Sequence, residues 1–239
     1  MFKTIIWFIK FWLYQFRALL FWPEIKKIQQ TKGAEAAKQY IHQIAGTWAR
    51  KMVENTGSTI VIKGLELIPA ERNVLFVSNH QANFDIPILL GYLPKEKGFV
   101  AKIELQKLPL VHNWMRALNC VFLDRKSPRK SLETIKETIK LLKEGHSMII
   151  FPEGTRSKSA KLNDFKKGSL KVAQKAQVPI VPVTINGSYK IMGANGLLIK
   201  PARVEVIVGQ PIYLESLTAE EKDNLAHYVQ QKIAANLQQ

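Results

Sequence analysis

The most informative segment of this sequence is residues 74–85, which read VLFVSNHQANFD. Its first four residues are apolar, and such a run ahead of turn-forming residues predicts a buried β-strand. Ser78 and Asn79 favour turns and helix caps, so we expect the strand to end there. His80 then lies just past a rigid strand end, and Asp85 follows it after about one and a half helical turns.

This spacing lets the carboxylate of Asp85 meet the imidazole of His80 if the chain curls. A carboxylate bonded to one ring nitrogen fixes the tautomer and leaves the other nitrogen free to act as a base. It also stabilises the imidazolium that forms when the base takes a proton. An isolated His–Asp pair is more often a structural hydrogen bond, so the rest of the chain has to decide between the two roles.

From residue 59 onwards, short apolar runs alternate with helical patterns. The clearest helix is residues 131–143, because its apolar residues recur on one face. Such alternation predicts a single α/β domain with a central, largely parallel sheet flanked by helices. The predicted strands are 59–63, 73–78, 98–101, 120–123, 148–151, 180–185 and 204–208, and the predicted helices are 86–92, 110–118, 131–143, 166–175 and 219–237.

Two further motifs follow predicted strands, at the positions where α/β proteins build their sites. Residues 119–125 read NCVFLDR and end on Arg125, whose planar guanidinium suits bidentate phosphate binding. Residues 151–157 read FPEGTRS, in which Gly154 permits close approach of the backbone to a ligand. Taken singly, a solvated basic loop and a local Glu–Arg ion pair at a turn would also explain these two motifs.

Together the motifs resemble the sequence boxes of the glycerolipid acyltransferases, which include the 1-acyl-glycerol-3-phosphate acyltransferases. His80 and Asp85 match the His-x4-Asp box of that family. Residues 151–157 match its Phe-Pro-Glu-Gly-Thr-Arg-Ser box without a departure, and seven consecutive residues in the expected order are a specific signal. The resemblance covers about residues 58–210.

The two remaining boxes match less closely. Phe122 and Arg125 fit the pattern Gly-x-x-Phe-x-x-Arg, with Asn119 where Gly is usual. Asn tolerates the left-handed backbone region better than most residues, so this exchange bears on the local turn more than on the role of Arg125. Residues 178–183, which read VPIVPV, resemble the fourth box, and a core strand with two prolines explains them about equally well.

The resemblance implies transfer of a fatty acyl group from acyl-CoA or acyl-carrier protein to the free sn-2 hydroxyl of 1-acyl-glycerol 3-phosphate, forming phosphatidic acid. His80 would act as the general base, oriented by Asp85. The phosphate subsite would comprise Arg125, Glu153, Gly154 and Arg156, with Glu153 orienting an arginine or a glycerol hydroxyl. The resemblance implies no cofactor and no metal. A different lysophospholipid acceptor, or a non-enzymatic basic module that binds membrane surfaces, remains an alternative.

The charge of the chain predicts anionic partners. It carries 35 Lys and Arg against 19 Asp and Glu, a formal net charge of +16. Lys158, Lys166 and Lys167 would contact the acyl donor or anionic lipid, although a solvated face explains them about as well. The sequence shows no nucleic-acid-binding signature, so we expect no nucleic-acid partner. Cys120 is the only cysteine, which excludes an intramolecular disulfide, and no Cys/His cluster has the spacing of a zinc site.

Residues 2–22 are rich in Phe, Trp, Ile and Leu, and Pro23 is expected to end this helix. Basic residues seven apart would form one stripe along it, which interrupts the compact apolar region that a secretory signal needs. In a spanning helix the central lysine would cost roughly 2.5–3.5 kcal/mol. We therefore favour an interfacial helix over a tilted span. The predicted membrane contacts are Lys3, Trp7, Lys10, Trp12, Arg17 and Trp22.

A second helical pattern, from Ala34 to about Asn55, follows a polar segment and could pack on the domain or pair with the first helix at the membrane. The sequence thus predicts an N-terminal two-helix membrane-associating segment, residues 1–57, ahead of an acyltransferase domain, residues 58–239. We expect the protein on the cytoplasmic face of the cell membrane, bound to an anionic lipid surface.

Overall fold

A seven-stranded sheet lies at the centre of residues 1–238, the part of the chain that the computed structural model describes. Its strands are β1 (Thr59–Lys63), β2 (Leu75–Ser78), β3 (Lys97–Lys102), β4 (Val121–Leu123), β5 (Ser147–Ile150), β6 (Ile180–Asn186) and β7 (Arg203–Val208). Their order in the sheet is β1-β7-β6-β2-β5-β3-β4, and every pair is parallel except β6 with β7. The largely parallel sheet predicted from the sequence is confirmed.

Helices precede the sheet, join its strands and cover both of its faces. They are α1 (Phe2–Ala18), α2 (Trp22–Lys32), α3 (Ala34–Glu54), α4 (Asp85–Tyr92), α5 (Val111–Ala117), α6 (Pro128–Lys143), α7 (Lys171–Ala176), α8 (Ala219–Asp223) and α9 (Leu225–Ala234). The predicted helix 166–175 begins only at Lys171, and the predicted helix 219–237 is divided at Asn224. The last residue of the predicted domain, Gln239, lies outside the described residues.

All four residues of β2 are buried, because the sheet has a hydrophobic core on each face. Side chains alternate along a strand, so Phe76 packs into the core on one side and Leu75 and Val77 into the core on the other. The core that holds Phe76 also contains residues of α1, α2 and α3. The N-terminal helices therefore complete one face of the same α/β unit.

The N-terminal region differs from its prediction in two ways. Pro23 does not end the helix, since α1 ends at Ala18, one 3-10 turn follows, and Pro23 lies in the first turn of α2. Proline fits there because the first helical N–H groups have no partner within the helix. The polar segment expected between two helices is itself α2, so three helices replace the predicted two.

The structure also corrects one predicted membrane contact. Trp7 is buried, its indole N–H donates to the carbonyl of Met52 (2.9 Å), and its ring packs on Phe84. It therefore anchors α1 to the domain and does not face lipid. Trp22 is half-buried against Trp114, whereas Lys3, Lys10, Trp12 and Arg17 are exposed.

The opposite side of α1 carries exposed apolar side chains, which are Phe2, Ile5, Ile6, Ile9, Trp12, Leu13 and Phe16. The continuous helical stretch Phe2–Lys32 is the one segment, within the described residues, that is long and apolar enough to cross a membrane. Only 11% of its most apolar window is buried inside the protein. An apolar surface of this size on a soluble protein usually marks a protein or membrane contact.

Candidate active site

The three sequence motifs meet at one edge of the sheet. The carboxyl ends of the neighbouring parallel strands β2 and β5 lie side by side, and residues 79–85 and 151–157 leave the sheet there. Backbone hydrogen bonds join the two segments, from Ser157 N–H to the carbonyl of His80 (2.8 Å) and from Lys158 N–H to that of Gln81 (3.0 Å). The motifs therefore share one backbone framework.

His80 and Asp85 form the predicted pair. His80 Nδ1 lies 2.7 Å from Asp85 Oδ2, and Phe151 stacks on the imidazole with ring centroids 4.1 Å apart. The ring is held from its edge and from one face, which fixes its orientation. Because Nδ1 is engaged, Nε2 is the ring nitrogen left for chemistry.

Asp85 is completely buried and accepts four hydrogen bonds. Its Oδ2 accepts from His80 Nδ1, from Gln81 N–H (2.6 Å) and from Ala82 N–H (2.9 Å), while its Oδ1 accepts from the hydroxyl of Ser188. A buried carboxylate without such donors would be strongly destabilised. Asp85 is also the first residue of α4, where the helix dipole favours negative charge. These contacts fix the position of the carboxylate behind the imidazole.

Glu153 has a different position from the one predicted. It is buried, and its carboxylate accepts from the backbone N–H groups of His80 (2.5 Å) and Asn163 (3.0 Å). Burial raises the pKa of this carboxyl above its ordinary value, although the two N–H donors oppose the shift. Glu153 therefore orients neither Arg125 nor Arg156 in this structure. It holds the backbone from which His80 projects.

Arg125 and Arg156 are exposed and line the same cavity as His80, which Arg17, Lys51 and Lys102 line as well. Arg125 donates to the carbonyl of Gly154, and Arg156 donates to the side-chain oxygen of Asn83. The His box and the two arginine motifs thus touch directly. Neither guanidinium has a carboxylate partner among the described residues, so both remain free to bind an anion.

The turn before Arg125 tolerates the exchange of Gly for Asn. Asn119 adopts a left-handed conformation with φ of 55°, as its residue type predicts. Gly154 also has a positive φ, of 70°, and a Cβ on it would lie 2.9 Å from Cε of Lys166. Gly154 is therefore favoured by its backbone conformation, because the end of the flexible Lys166 side chain could move away from a Cβ.

The predicted lysines surround this edge of the sheet without entering the cavity. Lys158, Lys166 and Lys167 are all exposed, and none belongs to the cavity lining. Lys166 packs beside Gly154, whose carbonyl accepts from Arg125. Together these lysines form a basic rim around the exposed end of the site.

A cavity of about 690 Å³ begins at His80 and the arginines and runs beneath the N-terminal helices. Side chains of α1 and α3 form one wall, while α4, β3 and α5 form the other. The interior side chains are mainly apolar and include Ile44, Trp48, Ile86, Leu90, Phe99 and Leu118. A cavity with one polar end and long apolar walls suits an amphipathic ligand.

Cys120 also lines the cavity but is a poor nucleophile. Burial raises the pKa of its thiol to about 12, so the thiolate is scarce at neutral pH. Among the groups of the described site, the imidazole of His80 is therefore the best placed to act as a base.

Sequence reasoning missed two polar residues of the site. Ser188 reaches Asp85 from beyond the end of β6, more than one hundred residues away in sequence. Asn83 lies inside the His box and bonds Arg156, which the motif itself does not reveal. For Ser188 a partial signal existed, because it follows a predicted strand, and the structure pairs that strand, β6, in parallel with β2.

The comparisons with known proteins agree with one another. A family model described as Acyltransferase matches residues 59–186. A chloroplastic 1-acyl-sn-glycerol-3-phosphate acyltransferase of Brassica napus is 36% identical over 203 residues, which are 84% of this chain and 57% of the relative. A probable 1-acyl-sn-glycerol-3-phosphate acyltransferase of Mycoplasma pneumoniae is 36% identical over 190 residues, or 74% and 71% of the two chains. The chain thus spans little more than half of the plant relative.

One solved structure resembles the whole chain, including its N-terminal helices. The crystal structure of the 1-acyl-sn-glycerophosphate acyltransferase PlsC from Thermotoga maritima superposes with a TM-score of 0.86 and 31% sequence identity. The match covers 99% of this chain and 93% of that one.

Proposed function

The chain belongs to the acyltransferase family, and from that premise we propose that it transfers a fatty acyl group from a thioester to the sn-2 hydroxyl of 1-acyl-glycerol 3-phosphate, forming phosphatidic acid. The observation that carries the proposal is a His–Asp pair at the polar end of a long apolar cavity, with Arg125 and Arg156 beside it. The names of the Brassica, Mycoplasma and Thermotoga proteins support the choice of acceptor.

In the proposed reaction, Nε2 of His80 takes the proton of the acceptor hydroxyl as the hydroxyl oxygen attacks the thioester carbonyl. Asp85 stabilises the imidazolium that results, because its Oδ2 already accepts a hydrogen bond from Nδ1. The tetrahedral intermediate then collapses, the carbon–sulfur bond breaks, and the imidazolium returns its proton to the departing sulfur. General-base catalysis of this kind contributes about 10²–10⁴ in rate.

Arg125 and Arg156 are proposed to bind the acceptor phosphate. Both guanidinium groups are exposed, lie at the same end of the cavity as His80 and are anchored by neutral oxygens of the protein. Charge-assisted hydrogen bonds to phosphate are the strongest that such groups make. Gly154 contributes by carrying the carbonyl that Arg125 contacts. Glu153 contributes through the backbone of His80 and not by touching phosphate.

The apolar part of the cavity is proposed to hold an acyl chain. Its volume of about 690 Å³ lies within the range of ligand sites that enclose most of a bound molecule. A chain that extends between α3 and α4 would keep its carboxyl end close to His80. Water is then excluded from the reacting atoms, which strengthens the electrostatic effect of Asp85.

The donor is proposed to be acyl-CoA or acyl-carrier protein. Both carry negative charge, and the exposed rim of Lys158, Lys166 and Lys167 would attract either one. We further propose that the protein works on the cytoplasmic face of the cell membrane, with the exposed apolar side of α1 in an anionic lipid surface.

A donor-by-acceptor activity panel on purified protein tests the proposal. Wild type should acylate 1-acyl-glycerol 3-phosphate in preference to lysophospholipids with other headgroups. The variant His80→Ala should remain folded and lose activity by a factor of about 10²–10⁴. His227→Ala is the matched control, because His227 is exposed on α9.

Near wild-type kcat in His80→Ala would refute the assignment of the base. Activity that is equal on acceptors with and without phosphate would refute the phosphate subsite. Absence of transfer from every donor, with lipid binding intact, would favour a non-enzymatic membrane-binding module.

A further inference from the structure

A short loop beside α1 exposes two leucines. Leu197 is 68% exposed and Leu198 is 43% exposed, although leucine side chains are usually at least partly covered. Hydrogen bonds within its own backbone hold the loop in shape. Gly193 and Gly196 bond each other in both directions at 3.2 Å, and Lys200 N–H donates to the carbonyl of Ile191 (3.0 Å). The leucines are thus presented by a braced loop.

The loop is fixed to the first turn of α1. The backbone N–H of Ile199 donates to the hydroxyl of Thr4 (3.0 Å), and both residues are buried. Thr4 is followed on its helix by the exposed side chains of Ile5 and Ile9. The two leucines and the exposed apolar face of α1 therefore lie side by side, although they are almost two hundred residues apart in sequence.

The same loop touches the His box. Asn83 Nδ2 lies 3.6 Å from the sulfur of Met192, and a Cβ on Gly193 would lie 3.7 Å from Cβ of Ala82. One rigid segment thus connects the exposed leucines to the residues between His80 and Asp85. Whatever surface binds the leucines must also lie close to the catalytic edge of the sheet.

The surroundings of the leucines are basic. Lys3 on α1, Lys190 at the start of the loop and Lys200 at its end are all exposed. Apolar side chains inside a group of lysines suit a surface that is apolar within and negatively charged at its boundary, which describes a bilayer with anionic headgroups.

We propose that Leu197 and Leu198 form a second membrane-inserting element, which acts with α1 to set the active site at the surface of an anionic bilayer. The inference rests on the proposed function for its lipid substrate and for the contact of α1 with the membrane. Insertion of α1 alone would leave the domain free to rotate about the helix axis. Two elements held together by the Ile199–Thr4 hydrogen bond define a plane, which holds the Met192–Asn83 contact near the headgroups.

The test compares Leu197→Ser/Leu198→Ser with the control Leu132→Ser in the full chain. Leu132 is 51% exposed on α6 and so matches the leucines in exposure. Binding is measured by sedimentation with vesicles of phosphatidylcholine containing phosphatidylglycerol. Both leucines would bury apolar surface in the bilayer, so the double variant should bind at least about tenfold more weakly. The control should bind as wild type does.

A second measurement does not depend on affinity. An environment-sensitive dye is attached to Leu198→Cys, and labelling is specific to position 198 because Cys120 is buried. When vesicles are added, the emission of the dye should shift to shorter wavelength as the dye enters the bilayer. Leu132→Cys with the same dye should not shift. An unchanged spectrum at position 198, or equal vesicle binding by wild type and the double variant, would overturn the proposal.

Activity assays separate this inference from the proposed function. The double variant should lose activity on acceptor embedded in vesicles and keep it on acceptor dispersed in detergent. Loss of both would mean that the leucines support the active site itself, which contradicts a membrane role. If wild type lacked acyltransferase activity, the vesicle and dye measurements would still decide the membrane inference.

Discussion

The variant Asp85→Asn tests the catalytic geometry most directly. Asparagine keeps the size of the side chain, and its oxygen can still accept from His80 Nδ1 and from the backbone N–H groups of Gln81 and Ala82. Its amide group would face the hydroxyl of Ser188, which is able to accept a hydrogen bond. The substitution therefore removes the negative charge while leaving each hydrogen bond a partner.

Removing the negative charge of Asp85 has two consequences. The hydrogen bonds that Asp85 accepts become neutral, and charged hydrogen bonds contribute about 1 kcal/mol more than neutral ones, so we expect a destabilisation of roughly 1–3 kcal/mol. The imidazolium of His80 loses the carboxylate that stabilises it in the transition state. General-base catalysis contributes about 10²–10⁴, and we expect kcat to fall within that range.

The assay measures kcat with saturating donor and acceptor, alongside urea unfolding to establish that the variant is folded. Asp223→Asn serves as the control, because Asp223 is exposed on α8. The milder variant Ser188→Ala removes one of the four hydrogen bonds and keeps the charge, so its loss of kcat should be smaller. A folded Asp85→Asn protein with kcat within threefold of wild type would refute this account of the site.

Two further predictions follow. Arg125→Ala or Arg156→Ala should raise KM for the phosphorylated acceptor roughly 10–100-fold, the equivalent of one charge-assisted hydrogen bond, with little effect on KM for the donor. The control Arg129→Ala, at an exposed position on α6, should change neither KM. Equal increases of KM for both substrates would count against a phosphate subsite. Burial is the main cause that lowers the pKa of His42 to about 3, and the nearby Lys97, Lys38 and His146 contribute in the same direction. The native state therefore favours the neutral ring. The contribution of the neutral ring to stability is present above pH 6.5 and is lost as the pH falls towards 3. Lowering the pH from 7 to 5 should therefore cost about 1–2 kcal/mol through His42, measured by urea unfolding, and His42→Gln should show a shallower pH dependence than wild type or His227→Gln.

Features that depend on residues close together in the chain could be predicted from the amino-acid sequence. The apolar run 74–77 and the other short apolar runs of the chain predicted the strands, because side-chain pattern and turn residues act locally. The motifs after β2, β4 and β5 were expected at one edge, since parallel strands end on the same side of a sheet. The contact between His80 and Asp85 followed from a spacing of five residues.

Contacts between distant parts of the chain could not be predicted from the sequence and became visible in the folded structure. Glu153 belongs to the arginine motif by sequence, yet its carboxylate holds the backbone of His80 because the β2 and β5 segments pair there. The N-terminal helices were expected as a separate anchor, whereas α1 and α3 wall the cavity and Trp7 packs on Phe84. Amphipathic patterns reveal that a helix has an apolar face but not which surface will cover it, because that choice depends on the packing of the whole core.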